Sequence, residues 1–522
     1  MYGKFKRLKL AFSSRAQLVK FLETAPDASG NPDTARNKWQ NKDLDISPPK
    51  DRTWAWYDYA AFWWSYGFAP GSWYIAASLL AAGLSPGHAL GSIFLGYFFG
   101  AVGVVLHSRG PAMYHFGFPV ESRIVWGLRG AYFPVIIRAM TALVWAGVTI
   151  AQGGYNTAVL LRSILVYWVL TCWLIIIPIP KLRRLFEIKS FILPPVMFGL
   201  FGYCMVKGRG YPHRDMYDID PKKRVALSWA MLSGINAGLG KTTTLMVNQP
   251  DIARYARSKM APVLSQLIMF PLASTCCSAM GIYATQSIYN VWGNLDWNPW
   301  TLNHDMLDHN FSHSFRAGIA IMNLVFLYAN AITEQGQIWL NIRRAMWLCY
   351  VLAICICPWY ILASASGFLR FLNGYSIFLG PFLGMALTDY LVVRKGNVFV
   401  HDLFKEKGRY WYSHGVAWRP FVTYVLSVAF VLPGFVATFG YRIAGGAGWT
   451  HLYDFSWFYI CVVSSVVYFV LSYVGDYAKE EKAMSYESLA SIAEELYGEE
   501  QQRTTVLEVN LHVEGKDPAN VV

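Results

Sequence analysis

Charged residues are scarce in this chain of 522 residues, at 15% of the total, whereas hydrophobic residues make up 55%. A soluble protein of that composition would have too little polar surface to cover its core. Between Trp56 and Val474, apolar stretches recur that approach or exceed the roughly twenty residues a helix needs to cross a hydrocarbon layer. The composition therefore predicts an all-α polytopic membrane protein.

Catalytic and metal-binding motifs are also absent from the sequence. It has no HExxH, GxSxG or P-loop pattern, and no paired carboxylates at helical spacing in mid-membrane. The eight cysteines all lie in apolar segments, and Cys355-Ile-Cys357 lacks the spacing of a metal knuckle. We therefore expect no enzyme activity, no cofactor and no metal site.

The net charge of +13 is spread in a way that indicates membrane orientation and not a nucleic-acid partner. Basic residues gather in the short loops Lys181–Lys189, Arg254–Lys259 and Arg394–Arg409, whereas Val291–Ser314 has no Lys or Arg and three Asp. Only the loop Arg209–Arg224 disagrees, with five basic residues and three acids. We predict cytosolic termini, insertion through the first crossing without a cleaved signal peptide, and residence in the plasma membrane.

Three regions follow from these patterns. Residues 1–55 form a basic cytosolic segment, 56–475 the membrane domain, and 476–522 an acidic, partly disordered cytosolic tail that cytosolic regulators could bind. Within the membrane domain, residues 132–180 are too long for one helix and must reverse near Arg162-Ser163. The pattern predicts twelve crossings, at 57–82, 86–107, 132–160, 163–180, 188–207, 225–250, 261–289, 315–336, 346–364, 367–393, 419–440 and 452–475.

Two of the crossings carry helix-breaking residues at mid-membrane depth. The first contains Ala69-Pro70-Gly71, and the sixth contains Gly238 and Gly240 beside Lys241. Irregular backbone at that depth is tolerated only where it is buried in protein or lines a cavity. Breaks at corresponding places predict a five-plus-five inverted repeat with its site at the midplane. Alternatively, Pro and Gly only kink packed helices.

Motifs along most of the chain, from about Pro48 to Gly475, provide further information. The most specific is Val247–Arg257 (VNQPDIARYAR), after the sixth crossing. The others are Arg52–Trp54, Tyr114–Arg123, Trp145–Gly154, Cys357–Trp359, Gly374–Ser376 and Asp389–Gly396. Together they resemble the nucleobase:cation symporter-1 family, in its fungal branch of uracil, uridine and allantoin permeases. The resemblance implies a leucine-transporter-like fold and alternating-access import, coupled to protons, of a nucleobase, hydantoin, allantoin, nucleoside or vitamin.

The third crossing carries the first part of the candidate site. Trp145, Thr149 and Gln152 lie at i, i+4 and i+7 and therefore share one helix face. A flat heterocycle needs an aromatic plate and an amide that pairs with its N–H and C=O groups. The resemblance implies that Trp145 is the residue on which the substrate stacks. Thr149 stands where the family has glutamine, and Asn330 matches a family asparagine on the eighth crossing. Ordinary helix packing is the alternative.

Departures from the family pattern point to two charged residues. The family has a second aromatic residue that stacks on the other face of the substrate. This sequence has Thr242 at that position, so one of the two stacking residues is missing. Beside it, Lys241 at mid-membrane depth costs about 2.5–3.5 kcal/mol on insertion scales, which favours a function. Glu334 stands where the family has a second, substrate-contacting asparagine. We predict that Lys241 and Glu334 pair across the cavity, unless Glu334 lies at a helix end in water.

The coupling ion and the activity each have an alternative. Tyr328 and Ala329 stand where sodium-using relatives have hydroxyl groups, so we expect sodium to be less suitable than a proton. The chain is short near 162–165 and 334–341 compared with the family. A transport-impaired membrane sensor or binding protein of the same fold therefore remains the competing hypothesis.

Asp251, Arg254 and Arg257 follow the sixth crossing on the predicted inner side. The two arginines lie three and six residues after the aspartate. The aspartate could form ion pairs with them within the helix, or all three could pair with charged groups at the ends of neighbouring helices. We predict a gate whose ion pairs break when the inner side opens. A simple positive anchor at the membrane surface is the alternative.

Overall fold

The computed structural model describes residues 39, 44–161, 168–169, 171, 179–208, 224–310, 312–338, 351–444 and 446–474. These residues are almost entirely helical. Within these ranges, the non-helical pairings are two isolated bridges, Trp54 with Ala256 and Ser413 with Val416. The predicted reversal at Arg162-Ser163, most of the segment before residue 44 and the tail from 475 lie outside the described residues.

The α-helices follow one another along the membrane domain. In chain order they are α1 (Trp56–Gly67), α2 (Pro70–Ala81), α3 (Pro86–Tyr114), α4 (Phe118–Trp126), α5 (Tyr132–Leu161), α6 (Ile179–Lys207), α7 (Arg224–Ala253), α8 (Val263–Trp292), α9 (Pro299–His309), α10 (His313–Ile338), α11 (Trp359–Leu362), α12 (Ala365–Leu387), α13 (Arg419–Ala429), α14 (Leu432–Ala437), α15 (Ala447–Asp454) and α16 (Ser456–Val474). A π-helical turn, Thr388–Val393, extends α12. Short 3₁₀ turns occur at Pro49–Asp51, Ala353–Ile356, Val400–Phe404 and Arg409–Trp411.

Seven of the described helical segments are long and apolar enough to cross a membrane. They are Pro86–Tyr114, Tyr132–Tyr155, Arg184–Lys207, Val263–Trp292, Ala365–Val393, Arg419–Ala437 and Ser456–Tyr473. Their side chains that face outward are large and apolar, as a lipid environment requires; Phe191 and Val206 of α6 are about four-fifths exposed. The multi-pass prediction is confirmed. The predicted crossing 163–180 falls largely outside the described residues. Of the predicted crossing 346–364, residues 351–364 are described, and they contain the 3₁₀ turn Ala353–Ile356 and the short helix α11 instead of one continuous span.

The first crossing is interrupted where the sequence predicted. α1 ends at Gly67 and α2 begins at Pro70, with Ala69 extended between them at φ −145° and ψ 150°. Proline suits the first helical position because it has no N–H to satisfy there. The Ser72 hydroxyl donates to the Gly67 carbonyl at 2.5 Å, and the Cys277 thiol of α8 lies 3.4 Å from the Ala69 carbonyl. These contacts satisfy backbone groups that the interruption would otherwise leave unpaired in an apolar layer.

The prediction of a broken sixth crossing is wrong, because α7 is one continuous helix from Arg224 to Ala253. Its glycines serve close helix crossings instead. A Cβ atom on Gly240 would lie 2.5 Å from the Leu372 carbonyl oxygen of α12, and one on Gly238 would lie 3.3 Å from the Gly96 Cα of α3. Small residues let membrane helices approach at backbone distance. Gly238 and Gly240 therefore bring α3, α7 and α12 together without breaking α7.

Candidate functional site

A small pocket lies at the interruption between α1 and α2, where α5, α7 and α10 converge. Its volume is about 20 Å³, which is room for about one water molecule and far below the roughly 300–1,000 Å³ of ligand pockets. The pocket is therefore closed in this conformation. Its lining residues are Tyr66, Ala69, Gly71, Tyr74, Ile75, Trp145, Thr149, Gln152, Lys241 and Asn330.

The predicted face of α5 forms one wall of this pocket. Trp145, Thr149 and Gln152 are each at most 4% exposed. The Thr149 hydroxyl donates to the Trp145 carbonyl at 2.9 Å, which satisfies it within its own helix. The rings of Phe371 and Tyr375 on α12 meet the Trp145 ring edge-on, at 5.5 and 5.6 Å between centroids. These contacts hold the indole in place from the side of α12.

Lys241 enters the pocket from α7 and is 3% exposed. Its ammonium donates to the Ser72 hydroxyl next to the interruption, and lies 4.8 Å from the Tyr66 ring and 5.1 Å from the Tyr97 ring. The Tyr66 hydroxyl donates to the Lys241 carbonyl at 2.9 Å. Two aromatic faces and a hydroxyl thus replace part of the hydration of this cation. Sequence reasoning found Lys241 but missed Tyr66, Ser72 and Tyr97, which form its surroundings.

The pocket offers several hydrogen-bond donors. The side-chain NH₂ of Asn330 is buried and finds no acceptor in the part of the chain that the structure describes, whereas the indole N–H of Trp145 lies beside the Tyr375 hydroxyl. Lys241 adds three N–H donors and no acceptor. A buried donor without a partner costs about 1–3 kcal/mol. A ligand rich in carbonyl oxygens would satisfy these groups, and an apolar ligand would not.

Three of the predicted site residues lie elsewhere or lack a described side chain. Thr242 is fully buried against α3, where a Cβ atom on Gly100 would lie 3.1 Å from its hydroxyl. Its hydroxyl donates to the Gly238 carbonyl, so Thr242 does not line the closed pocket, and its contact with substrate stays a prediction. Pro70 begins α2 but is not among the lining residues. Glu334 belongs to α10, but its side chain lies outside the described residues, and its pairing with Lys241 stays a prediction.

Aromatic residues of α9 and its preceding loop cover one end of the pocket. Trp300 stacks on Tyr155 of α5 at 5.6 Å and meets Tyr74 of α2 at 5.7 Å. Trp297 stacks on Phe368 of α12 at 5.9 Å. This plug joins three helices that line or flank the pocket, and sequence reasoning missed it. The three tryptophans of a loop without Lys or Arg, at positions 292, 297 and 300, were the available signal.

A buried ion pair joins the start of α5 to the end of α7. The Arg138 guanidinium of α5 lies 2.7 Å from the Asp251 carboxylate at the end of α7, with both side chains 2% exposed. The second Asp251 oxygen accepts the Phe118 backbone N–H of α4 at 3.0 Å. Beside this pair, His107 of α3 lies 3.0 Å from the Glu121 carboxylate. Asp251 therefore ties α7 to α4 and α5, and Arg138 is a partner that sequence reasoning missed.

Arg254 and Arg257 have other surroundings. The Arg254 side chain donates to the Ser47 hydroxyl at 2.6 Å and to the Asp45 carbonyl. The Arg257 side chain is exposed, and its backbone N–H donates to the Trp54 carbonyl at 2.8 Å. These two residues hold the segment before α1 against the end of α7, and their predicted roles as a gate or as a membrane-surface anchor stay predictions.

Comparisons with known proteins agree on one kind of protein. Residues 47–459 match the profile of a family described as permeases for cytosine/purines, uracil, thiamine and allantoin. The allantoin permease of Saccharomyces cerevisiae is 28% identical over 83% of this chain and 75% of its own length. The uracil permease of the same yeast is 29% identical over 77% of this chain and 70% of its own length.

A solved structure shows the same fold. Mhp1, described as a nucleobase-cation-symport-1 family transporter in a closed conformation with bromovinylhydantoin bound, superposes with a TM-score of 0.68 and 17% identity. The match covers 87% of this chain and all of that chain. The predicted fold class, a leucine-transporter-like helical membrane protein, is confirmed.

Proposed function

Because the chain belongs to the family of permeases for cytosine/purines, uracil, thiamine and allantoin, we propose that it imports a carbonyl-rich nucleobase-like heterocycle, such as uracil or allantoin, by alternating access. The family consists of transporters, so the expectation of a transporter and not an enzyme is confirmed. The observation that supports the proposed substrate class is the pair of donors in the central pocket: Asn330 and Lys241 offer N–H groups that carbonyl oxygens would satisfy.

The pocket residues have separate proposed roles. Trp145 supplies the plate on which the heterocycle stacks, and the rings of Phe371 and Tyr375, nearly perpendicular to the indole, fix its position. The side-chain amides of Gln152 and Asn330 form hydrogen bonds with the polar edge of the heterocycle. Thr149 lies between Trp145 and Gln152 on the same face of α5. Substrate enters only after the pocket expands from about 20 Å³, so opening of either end precedes binding.

The two ends act as gates in this proposal. The aromatic plug of Trp297 and Trp300 closes the outer side, and the Arg138–Asp251 pair closes the inner side. Separation of α5 from α7 at the inner end would break that pair and expose the pocket to the cytosol. Arg254 and Arg257 serve as anchors of the N-terminal segment beside this gate.

We propose a proton as the coupling ion, with sodium less suitable. Lys241 at the interruption is the candidate group, because a buried ammonium is costly and can respond to a change in its surroundings when the pocket opens. Glu334 is its proposed partner. We further propose residence in the plasma membrane with both termini cytosolic, and a tail from 476 that is open to cytosolic regulators.

Uptake measurements test this function. Expressed in a host that lacks its own nucleobase permeases, the chain should give saturable uptake of one labelled heterocycle, and unlabelled uracil, allantoin, nucleosides and vitamins should compete according to their fit. A protonophore should abolish accumulation, whereas replacement of sodium by choline should not. Ligand binding to purified protein without flux in vesicles would favour the sensor alternative, to which the shortened segment near 334–341 points.

A further inference from the structure

A buried histidine and a buried glutamate lie in contact beside the Arg138–Asp251 pair, and neither takes part in the transport steps proposed above. The side chains of His107 on α3 and Glu121 on α4 are 3% and 11% exposed. The Nε2 atom of His107 lies 3.0 Å from the Glu121 carboxylate, and its Nδ1 atom lies 2.6 Å from the Met246 carbonyl oxygen of α7. The imidazole therefore joins three helices, α3, α4 and α7.

The contact with α7 fixes which ring nitrogen carries a hydrogen. In an α-helix the Met246 carbonyl would accept the backbone N–H four residues on, but that residue is Pro250, which has none. His107 takes the place of this donor, and because a carbonyl oxygen can only accept, Nδ1 must carry a hydrogen. A neutral imidazole with its hydrogen on Nδ1 has a lone pair on Nε2, and that lone pair faces Glu121.

The contact with Glu121 then requires one more proton. A lone pair on Nε2 and an ionised carboxylate would repel each other at 3.0 Å, since both are acceptors. One proton between them makes the contact favourable, whether it is drawn as imidazolium beside carboxylate or as imidazole beside carboxylic acid. The closed conformation thus holds a proton that separated, hydrated histidine and glutamate side chains lose near neutral pH.

The surrounding charges favour retention of this proton. Asp251 interacts electrostatically with His107 and pairs with Arg138 at 2.7 Å. The four side chains His107, Glu121, Asp251 and Arg138 have zero net charge with the proton and a net negative charge without it, which is costly where burial excludes water. Other charged groups on the neighbouring elements have their own partners: Arg123 donates to the Leu403 carbonyl, Arg254 donates to the Ser47 hydroxyl, and Asp389 pairs with Arg394.

We propose that the His107–Glu121 contact is a proton-binding site of the closed inner end, distinct from Lys241 in the pocket. This inference rests on the proposed inner gate, in which the end of α7 separates from α5. That movement takes the Met246 carbonyl away from His107 and admits water, so the proton leaves to the cytosol and neutral His107 and ionised Glu121 remain, each hydrated. Acid on the inner side therefore keeps this end closed. Because one proton is bound, the ratio of open to closed chains changes by at most about tenfold per pH unit.

Hydrogen–deuterium exchange on the purified full chain tests this site without transport. After correction for the intrinsic pH dependence of amide exchange, protection of the amides of residues 247–253 should fall as pH rises from about 5 to 8, because opening releases the proton. In Glu121→Gln the side-chain NH₂ can donate to Nε2 at every pH, so protection should stay constant over this range.

His115→Asn is the matched control. His115 follows α3, and its Nδ1 atom also lies 3.0 Å from a carbonyl oxygen beyond the end of α7, that of Arg254, but its charged neighbours are the cations Arg52 and Arg254. Asparagine tolerates the positive φ of 58° at this position. This variant should keep the pH dependence of the unaltered chain.

Further variants separate a proton site from a fixed link between α3 and α4. Glu121→Asp keeps a carboxylate and should retain part of the pH dependence. His107→Gln has no titratable ring and should lose it, and it carries the test if Glu121→Gln does not fold. Equal pH dependence of protection in the unaltered chain and Glu121→Gln overturns the proposal, as does equal loss of that dependence in His115→Asn.

A transport measurement adds a second readout. In sealed vesicles at fixed outer pH, exchange of labelled for unlabelled substrate by the unaltered chain should slow as the inner pH falls, whereas Glu121→Gln should exchange at a rate that does not depend on inner pH. An unaltered chain that exchanges at the same rate at every inner pH would contradict the proposal. A chain that exchanges no heterocycle would refute the proposed function, and the hydrogen-exchange result would still decide the proton site.

Discussion

Loss of the Arg138–Asp251 pair is the perturbation whose size the structure defines best. The guanidinium and carboxylate lie 2.7 Å apart and both side chains are 2% exposed, so neither charge can be hydrated in place. Removal of one partner of a buried pair typically costs about 3–5 kcal/mol, because the other charge stays buried without compensation. Arg138→Met should therefore lower the stability of the closed conformation by about 3–5 kcal/mol.

Asp251→Asn should cost a similar ~3–5 kcal/mol, because it leaves the Arg138 guanidinium buried without this counter-charge, although the amide oxygen can still accept the Phe118 backbone N–H. The double variant Arg138→Met with Asp251→Asn removes both charges. We expect its loss to be smaller than the sum of the two single losses by at least ~2 kcal/mol, within the range that coupled neighbours show.

The assay is a double-mutant cycle on protein purified in one detergent, with thermal unfolding midpoints for stability and initial uptake rates per surface molecule for gating. If the pair is a gate, uptake changes in both single variants while the amount of protein at the surface of the host changes less. Strictly additive losses would refute the pairing. A loss of surface protein that fully accounts for the loss of uptake would leave Asp251 a structural residue only.

Three further predictions concern the pocket and the loop before α9. Trp145→Ala should weaken substrate binding by more than the ~0.5–1.5 kcal/mol that aromatic stacking contributes, since the buried area is lost as well. Gln152→Ala should change the order in which unlabelled compounds compete for uptake. If the uptake constants of both variants equal those of the unaltered chain, α5 does not form part of the site. Lys241→Met should lower affinity for a carbonyl-rich ligand roughly ten- to hundredfold, as expected for loss of a hydrogen bond to a charged group, and equal affinity in a binding assay would contradict the donor role. Burial, followed by the hydrogen bond and charge of Asp305, raises the pKa of Asp296 in the loop before α9 from 3.8 to about 7. The folded chain then holds a proton that the unfolded chain has lost between about pH 4 and 7, so stability falls as pH rises through that window; Asp296→Asn should flatten this part of the melting-temperature profile, and an unchanged profile would argue against the shift.

Much of the fold could be predicted from the chain alone. Apolar length predicted the multi-pass class, since a bilayer demands about twenty apolar residues per helix whatever their packing. Ala69-Pro70-Gly71 predicted the interruption of the first crossing, because proline excludes the preceding hydrogen bonds locally. The i, i+4, i+7 spacing of Trp145, Thr149 and Gln152 predicted a shared face, which the structure turns to the central pocket.

Partners in space could not be predicted in the same way. Gly238 and Gly240 suggest a break and a close helix crossing equally well in sequence, and only the approach of α3 and α12 shows that they permit the crossing. Thr242 stood next to Lys241 in the chain, but one residue turns a helix by about 100°, which directs the two side chains to different neighbours. The acid at position 251 had bases three and six residues away, whereas its described ion pair is with Arg138 on another helix.

The sequence by itself thus determined the membrane class, the interrupted helix and the residue types of the pocket, because these depend on local chemistry and helical period. The tertiary structure alone decided which charges meet, that the pocket is closed at about 20 Å³, and that aromatic side chains of α9 and its preceding loop cover one end of it. Those features arise from contacts between different helices, most of them far apart in the chain. Their geometry depends on how the helices pack, and no local pattern records it.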